Sequence, residues 1–107
     1  MLLKVAHRFM LLNILPQVGD FATLRIVRDL QAELSFTEQE LKSKGVTRNG
    51  NDFQWVAESD VPKDVHIGEA ASQVIRSRLE TLDKKKELQA THLPLYEHFI
   101  LGSEWEV

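Results

Sequence analysis

Apolar positions recur at helical spacing through most of this chain and alternate with polar ones in one short stretch. Leu3 to Leu15 reads as a helix that is apolar around most of its circumference. Lys4, His7 and Arg8 mark one polar face, and Leu11 and Leu15 then extend that face with apolar surface. Such a helix is either buried or covered by a partner. Pro16 ends it, because the residue before proline avoids the α region. Asp20 is the predicted N-cap of a second helix over Phe21 to Leu34. Its core stripe is Leu24, Ile26, Val27, Leu30 and Leu34, with an Arg25–Asp29 pair on the solvated side. A third, short helix has the strongest start signal. Thr37 and Glu40 form a capping box, Phe36 and Leu41 a hydrophobic staple, and Gly45 takes the C′ position.

The alternating stretch is Gly45 to Ala57, GVTRNGNDFQWVA. Asn49-Gly50 favours a type I′ turn, since Asn followed by Gly tolerates φ > 0 at both central positions. With Arg48 and Asn51 flanking that turn, Thr47 faces Asp52 and Val46 faces Phe53. Val46, Phe53 and Trp55 then share one side of the ribbon, and Thr47, Asp52 and Gln54 the other. A lone hairpin is marginal in water, so this one has to pack on helices or gain a strand. Val65-His66-Ile67, after the polar loop Glu58 to Asp64, has the alternation to supply it.

A fourth helix is predicted from Glu69 to about Leu88. Ala70, Ala71, Val74, Ile75, Leu79 and Leu82 form its apolar face, and Arg78 projects from the middle of that face. Thr91 is the expected cap of a last short helix that carries Pro94 in its first turn and stops at Gly102. The tail, 103–107, holds Trp105, which either docks or stays free. The expected fold is α+β: about five helices around a central hairpin or small three-stranded antiparallel sheet, in a single domain over 1–107.

Composition narrows the possible functions. The 107 residues include no cysteine, which removes disulfide scaffolds, thiolate catalysis and cysteine-ligated zinc together. A net charge of −3 gives no general push toward nucleic acid or anionic membrane. The first apolar run is too short and too interrupted, by Arg8 and Asn13, for an export signal or a membrane span, so a cytoplasmic protein is expected.

The four histidines, His7, His66, His92 and His98, lack the i, i+3 or i+4 spacing of helical metal ligands. The carboxylates are numerous, but no pair has the apolar framing that acid–base work requires, and Glu40 is already a cap. Neither a nucleophile elbow nor a glycine-rich phosphate loop is present. The reading is therefore of a protein that is not an enzyme and that uses no cofactor or metal. Lys84-Lys85-Lys86, flanked by Asp83 and Glu87, reads as a solvated helix end.

Two binding readings remain. The surplus apolar surface of the first and last helices suggests a protein-binding module or homo-oligomer, with Trp55, Tyr96, Phe99 and Trp105 as anchors and Arg78 as a snorkelling or interface cation. Alternatively, the order of helix two, turn, helix three and hairpin matches a winged-helix DNA-binding unit, with Lys42, Lys44 and Arg48 as contacts. Glu38 and Glu40 oppose this reading, because they stand at the end that would approach the bases.

The order of the blocks LLNILP, GDFATLRIVRDL, LSFTEQE, HIGEAA and HLPLYEHF, from Leu11 to Phe99, resembles that of small uncharacterised phage or prophage proteins. The resemblance implies a viral accessory or structural protein working inside a bacterium, bound to a host or viral partner. It brings no catalytic residue with it.

Overall fold

The computed structural model describes residues 1–49, 52–55 and 61–105. In order the elements are β1 (Leu2–Leu3), α1 (Val5–Ile14), α2 (Phe21–Leu34), α3 (Glu38–Ser43), β2 (Thr47–Asn49), β3 (Asp52–Gln54), β4 (Lys63–Asp64), α4 (Glu69–Lys84) and α5 (Leu93–Phe99). A 3₁₀ turn, Ala90–His92, leads into α5. The α+β reading holds in its coarse form, as a helical protein with minimal strand content.

The helix that is apolar all round is the central one. α1 packs on both α2 and α4, and these two also pack on each other, while α5 lies on α4. Val5, Leu11, Ile14 and Leu15 are buried, so most of the surplus apolar surface of this segment is consumed inside the molecule. Val27, Leu30 and Leu34 of α2 and Ile75, Leu79 and Leu82 of α4 complete one core, with Leu3, Val65 and Leu95. Leu24, expected in the α2 stripe, is 37% exposed because it sits at the edge of the buried arc. Asp29 lies near Arg28 (3.9 Å) instead of the expected Arg25.

Local start and stop signals explain most boundaries. The Thr23 N–H donates to Asp20 Oδ1 (2.7 Å) at the start of α2. At α3 the Glu40 N–H donates to Thr37 Oγ1 (3.1 Å) and the Thr37 N–H to Glu40 Oε1 (3.3 Å), a closed capping box. α3 ends in a Schellman motif in which Val46 N–H reaches Leu41 O and Gly45 N–H reaches Lys42 O, with Gly45 at φ 61°. α4 ends the same way, four residues before the expected Leu88. Glu87 N–H reaches Leu82 O, Lys86 N–H reaches Asp83 O, and Lys86, not a glycine, takes φ 57°. Thr91 is not the cap of the last helix. It lies inside the 3₁₀ turn, where the Gln89 N–H is accepted by His92 Nδ1 (3.1 Å).

The strands differ from expectation in two ways. The hairpin pairs Thr47 with Gln54, Arg48 with Phe53 and Asn49 with Asp52, so each partner lies two positions on from the predicted one. The predicted Asn49-Gly50 turn would have set Arg48 opposite Asn51, whereas Asn49 stands opposite Asp52. Gly50, Asn51 and 56–60 lie outside the described residues. Among the described residues no third strand joins the hairpin. Lys63–Asp64 instead pairs antiparallel with Leu2–Leu3 as a separate two-stranded ladder. Val65 is drawn the same way, its N–H donating to Met1 O (2.9 Å) and its side chain closing the core. No helix among the described residues is long and apolar enough to cross a membrane.

Candidate protein-binding surface

The flanks of α2 and α4 define an open, largely apolar concavity. The core stripe of α2 leaves Thr23 and Ile26 at its border, and that of α4 leaves Ala70, Val74, Ser77 and Thr81 at its own. Between these borders runs a cleft of about 450 Å³ floored by Ile26, Val74 and Pro16. A second cleft of about 340 Å³ continues it toward the C-terminal end of α2, where Asp29, Glu33 and Glu69 stand at the rim. Ile26 and Ala70 line both, so the two are one groove between antiparallel helices. Val18 is 88% and Phe21 81% exposed, and neither lines the groove. Arg78 lines the groove with its stem, while its Nε donates to Ile14 O (2.8 Å) and so satisfies an orphan carbonyl at the end of α1. This arginine is a helix cap within the molecule.

A polar cavity of about 450 Å³ is lined by Met1, Asp64, His66, Ile67, Ser72, His98 and Phe99, and shares His66 with the smaller cleft. The terminal amine of Met1 donates to Asp64 Oδ1 (2.9 Å) and to Val65 O (3.0 Å). That contact holds the Asp64 carboxyl below the usual carboxylate range. His98 Nδ1 lies 2.8 Å from Ser103 O. Among the described residues no three histidine or carboxylate side chains gather as a metal site.

The remaining expected anchors face inward. Trp105 docks: its Nε1 donates to Leu2 O (2.6 Å), and its ring meets His7 at 4.7 Å and His98 at 5.5 Å. Trp55 lies 6.0 Å from Phe9, ring to ring. Tyr96 and Phe99 pack against the core, and the Tyr96 hydroxyl donates to Asp83 Oδ2 (3.3 Å). Burial and the Asp83 carboxylate both raise the phenol's pKa.

Of the DNA-contact candidates, Lys42 is exposed and Lys44 is buried, with its Nζ donating to Val61 O (2.8 Å). The side chain of Arg48 lies outside the described residues. The helix that would read bases has only six residues. Its Glu40 is held by Arg8: Nη1 donates to Oε2 (2.6 Å) and Nη2 to Oε1 (3.4 Å). Arg8 is wholly buried and also donates to Leu34 O (3.0 Å) and Ser35 O (2.6 Å), with Phe36 against its guanidinium face (3.8 Å to the ring centroid). It therefore fastens α1 to the α2–α3 corner. The bond from Arg8 is the chief cause holding the Glu40 carboxyl down at about 2.

Sequence reasoning did not single out Val18 or Phe21 as surface features. The helical wheel carries the signal for Phe21, which stands nearly opposite Val27 and Leu30. No protein-family model matches the chain, and neither curated proteins nor solved structures yield a match.

Proposed function

We propose that this protein is a small non-enzymatic protein-binding module that docks a partner along the α2–α4 groove. In keeping with the order of its sequence blocks, it would serve as a phage accessory or structural protein in the bacterial cytoplasm. The observation that carries the reading is the groove itself, in which Ile26, Ala70 and Val74 line a concavity open to solvent, since an apolar cleft on the surface marks an interaction site. The internal use of the other candidates supports it. Trp105, Tyr96 and Arg78 are engaged within the molecule, whereas the α2–α4 groove stays open. The burial of Lys44 and the engagement of Glu40 with Arg8 weigh against the DNA-binding alternative.

The test is co-precipitation from a bacterial lysate, run alongside light scattering, with the native chain and with Ala70→Glu, a change on the lining of the groove. The exposed position of Ala70 allows that change without unfolding. A partner or self-association held by the native chain and lost in the variant supports the reading. A native chain that is monomeric and retains nothing refutes it.

A further inference from the structure

We infer that the seat of Trp105 is an autoinhibited docking site: the chain's own tail fills it, and a short protein segment carrying a tryptophan is the partner that fits. The site is separate from the α2–α4 groove and does not rest on the reading above. Its floor is the open edge of β1. Met1 and Val65 exchange both main-chain bonds, Met1 N–H to Val65 O (3.0 Å) and Val65 N–H to Met1 O (2.9 Å). Bonded and non-bonded pairs alternate along an antiparallel ladder, so the next pair, Leu2 with Asp64, turns its N–H and C=O outward. The Trp105 indole N–H donates to that outward Leu2 carbonyl (2.6 Å). A side chain of the tail thus covers an edge that a neighbouring strand would otherwise pair with.

The walls are two imidazoles that meet the indole edge to face, His7 of α1 at 4.7 Å and His98 of α5 at 5.5 Å. His7 is oriented without the tail, because its Nδ1 accepts the Lys4 N–H (3.2 Å). His98 also reads the tail's main chain: a carbonyl only accepts, so His98 Nδ1–H donates to Ser103 O (2.8 Å). The seat therefore offers a ring slot, an acceptor for an indole N–H and a donor for a main-chain carbonyl. That combination is specific for a tryptophan-anchored peptide, and Trp105 shows that it fits.

The tail can open as a unit. Gly102 takes φ 75°, and no atom stands within 4 Å of where a side chain on it would be, so the chain can pivot there. Ser103 and Glu104 are exposed, and a cavity of about 400 Å³ lies between the tail and Pro94 and Glu97 of α5, so the tail is not packed flat on that helix. A segment anchored by one side chain opens without the rest of the fold. An incoming indole replaces the donor that Trp105 withdraws, so the Leu2 carbonyl is not left unpaired, the cost that recruiting Trp105 itself would carry. The tethered tail competes at high effective concentration, which keeps the seat shut to segments without the matching ring.

The probe is a capped synthetic peptide of residues 101–105, with a counterpart carrying alanine in place of its tryptophan. Both are titrated by NMR into the full chain, native and Trp105→Ala, with circular dichroism verifying that the variant folds. The tryptophan peptide should bind Trp105→Ala at least about tenfold more tightly than the native chain, whose seat is occupied. Its shifts should centre on Leu2, His7 and His98, and the alanine peptide should bind neither chain. A folded Trp105→Ala that takes the tryptophan peptide no better than the native chain does overturns the inference.

Hydrogen exchange of the native chain provides a check that needs no variant. The Trp105 indole proton should exchange at least about tenfold faster than the amides of Leu30 and Leu79 in the core, because the tail opens alone. An indole proton that exchanges only as slowly as those amides overturns the inference as well.

Discussion

Arg8 offers the sharpest quantitative test of how this fold is held together. Replacing it with alanine removes charged donors from two carbonyls, Leu34 O and Ser35 O, and from the Glu40 carboxylate. Each carbonyl left without a donor costs about 1–3 kcal/mol. Truncation of a wholly buried side chain adds a cavity. Breaking a buried pair from one side costs about 3–5 kcal/mol as a whole, so Arg8→Ala should destabilise by about 4 kcal/mol. Lysine is a poor substitute, because one ammonium cannot meet acceptors on both sides of a fork, and Arg8→Lys should cost about half as much.

Glu40→Gln isolates the charge. The depression of its carboxyl from 4.5 to about 2 corresponds to roughly 3 kcal/mol at full strength. With the carboxylate 22% exposed, about 2 kcal/mol is expected at neutral pH. The unfolded carboxyl takes up its proton near 4.5 and the folded one near 2. The stabilisation is therefore complete above the first value and disappears as pH falls to the second. Urea unfolding followed by circular dichroism, repeated across that window, should show the gap between native chain and Glu40→Gln closing. Arg8→Ala costing under about 1 kcal/mol, or a gap that persists at the acid end, would refute the reasoning.

Two further outcomes follow from the structure. Lys86 occupies the left-handed region at φ 57°, which costs a side-chain-bearing residue about 1–2 kcal/mol. Lys86→Gly removes that strain against a smaller loss to unfolded-chain entropy and should raise stability by about 0.5–1 kcal/mol in thermal melts, whereas a lowered melting temperature would contradict the helix ending. Burial pushes the His92 imidazole below its ordinary pKa of 6.5, so an NMR titration should place its midpoint under that value. His92 should accordingly oppose folding progressively as pH drops below 6.5, and a normal or raised midpoint would show that the ring is solvated.

What was legible in the sequence was what is decided within a few residues. Asp20, the Thr37–Glu40 box and Gly45 set helix ends through bonds to neighbours three to five positions away, Pro16 stops α1 by restricting the residue before it, and each works as read. Arg8 was invisible as a hub because its partners lie 26 to 32 residues on, at a corner that exists only once α1 packs. The Asn49-Gly50 signal points to a hairpin but does not fix its pairing, in which Asn49 stands opposite Asp52. β1 and β4 are two residues each, too short to show a period of two. For the surface, periodicity identified the right helix faces but not their edges. Ile26 and Val74 belong to the core stripes by spacing, yet they line the groove, because a stripe wider than the facing helix leaves its border uncovered.

The division of the molecule into committed and open surfaces is what locates its function. A side chain that holds the fold together cannot also give the same atom to a partner without weakening the fold. Lys44 would have to leave Val61 O to reach a phosphate, giving up a part-buried hydrogen bond. Glu40 would have to leave Arg8, and Trp105 would have to surrender the Leu2 carbonyl and its place between two imidazoles. The α3 corner and the tail are therefore the costly places to recruit for binding. On the α2–α4 face the situation is reversed: Ile26, Ala70 and Val74 line an open cleft, and covering them stabilises a complex by roughly 25 cal/mol for each Å² removed from solvent without breaking any contact of the fold. A partner that covers this face gains that burial at no cost to the core, and this asymmetry is the physical reason to place binding there.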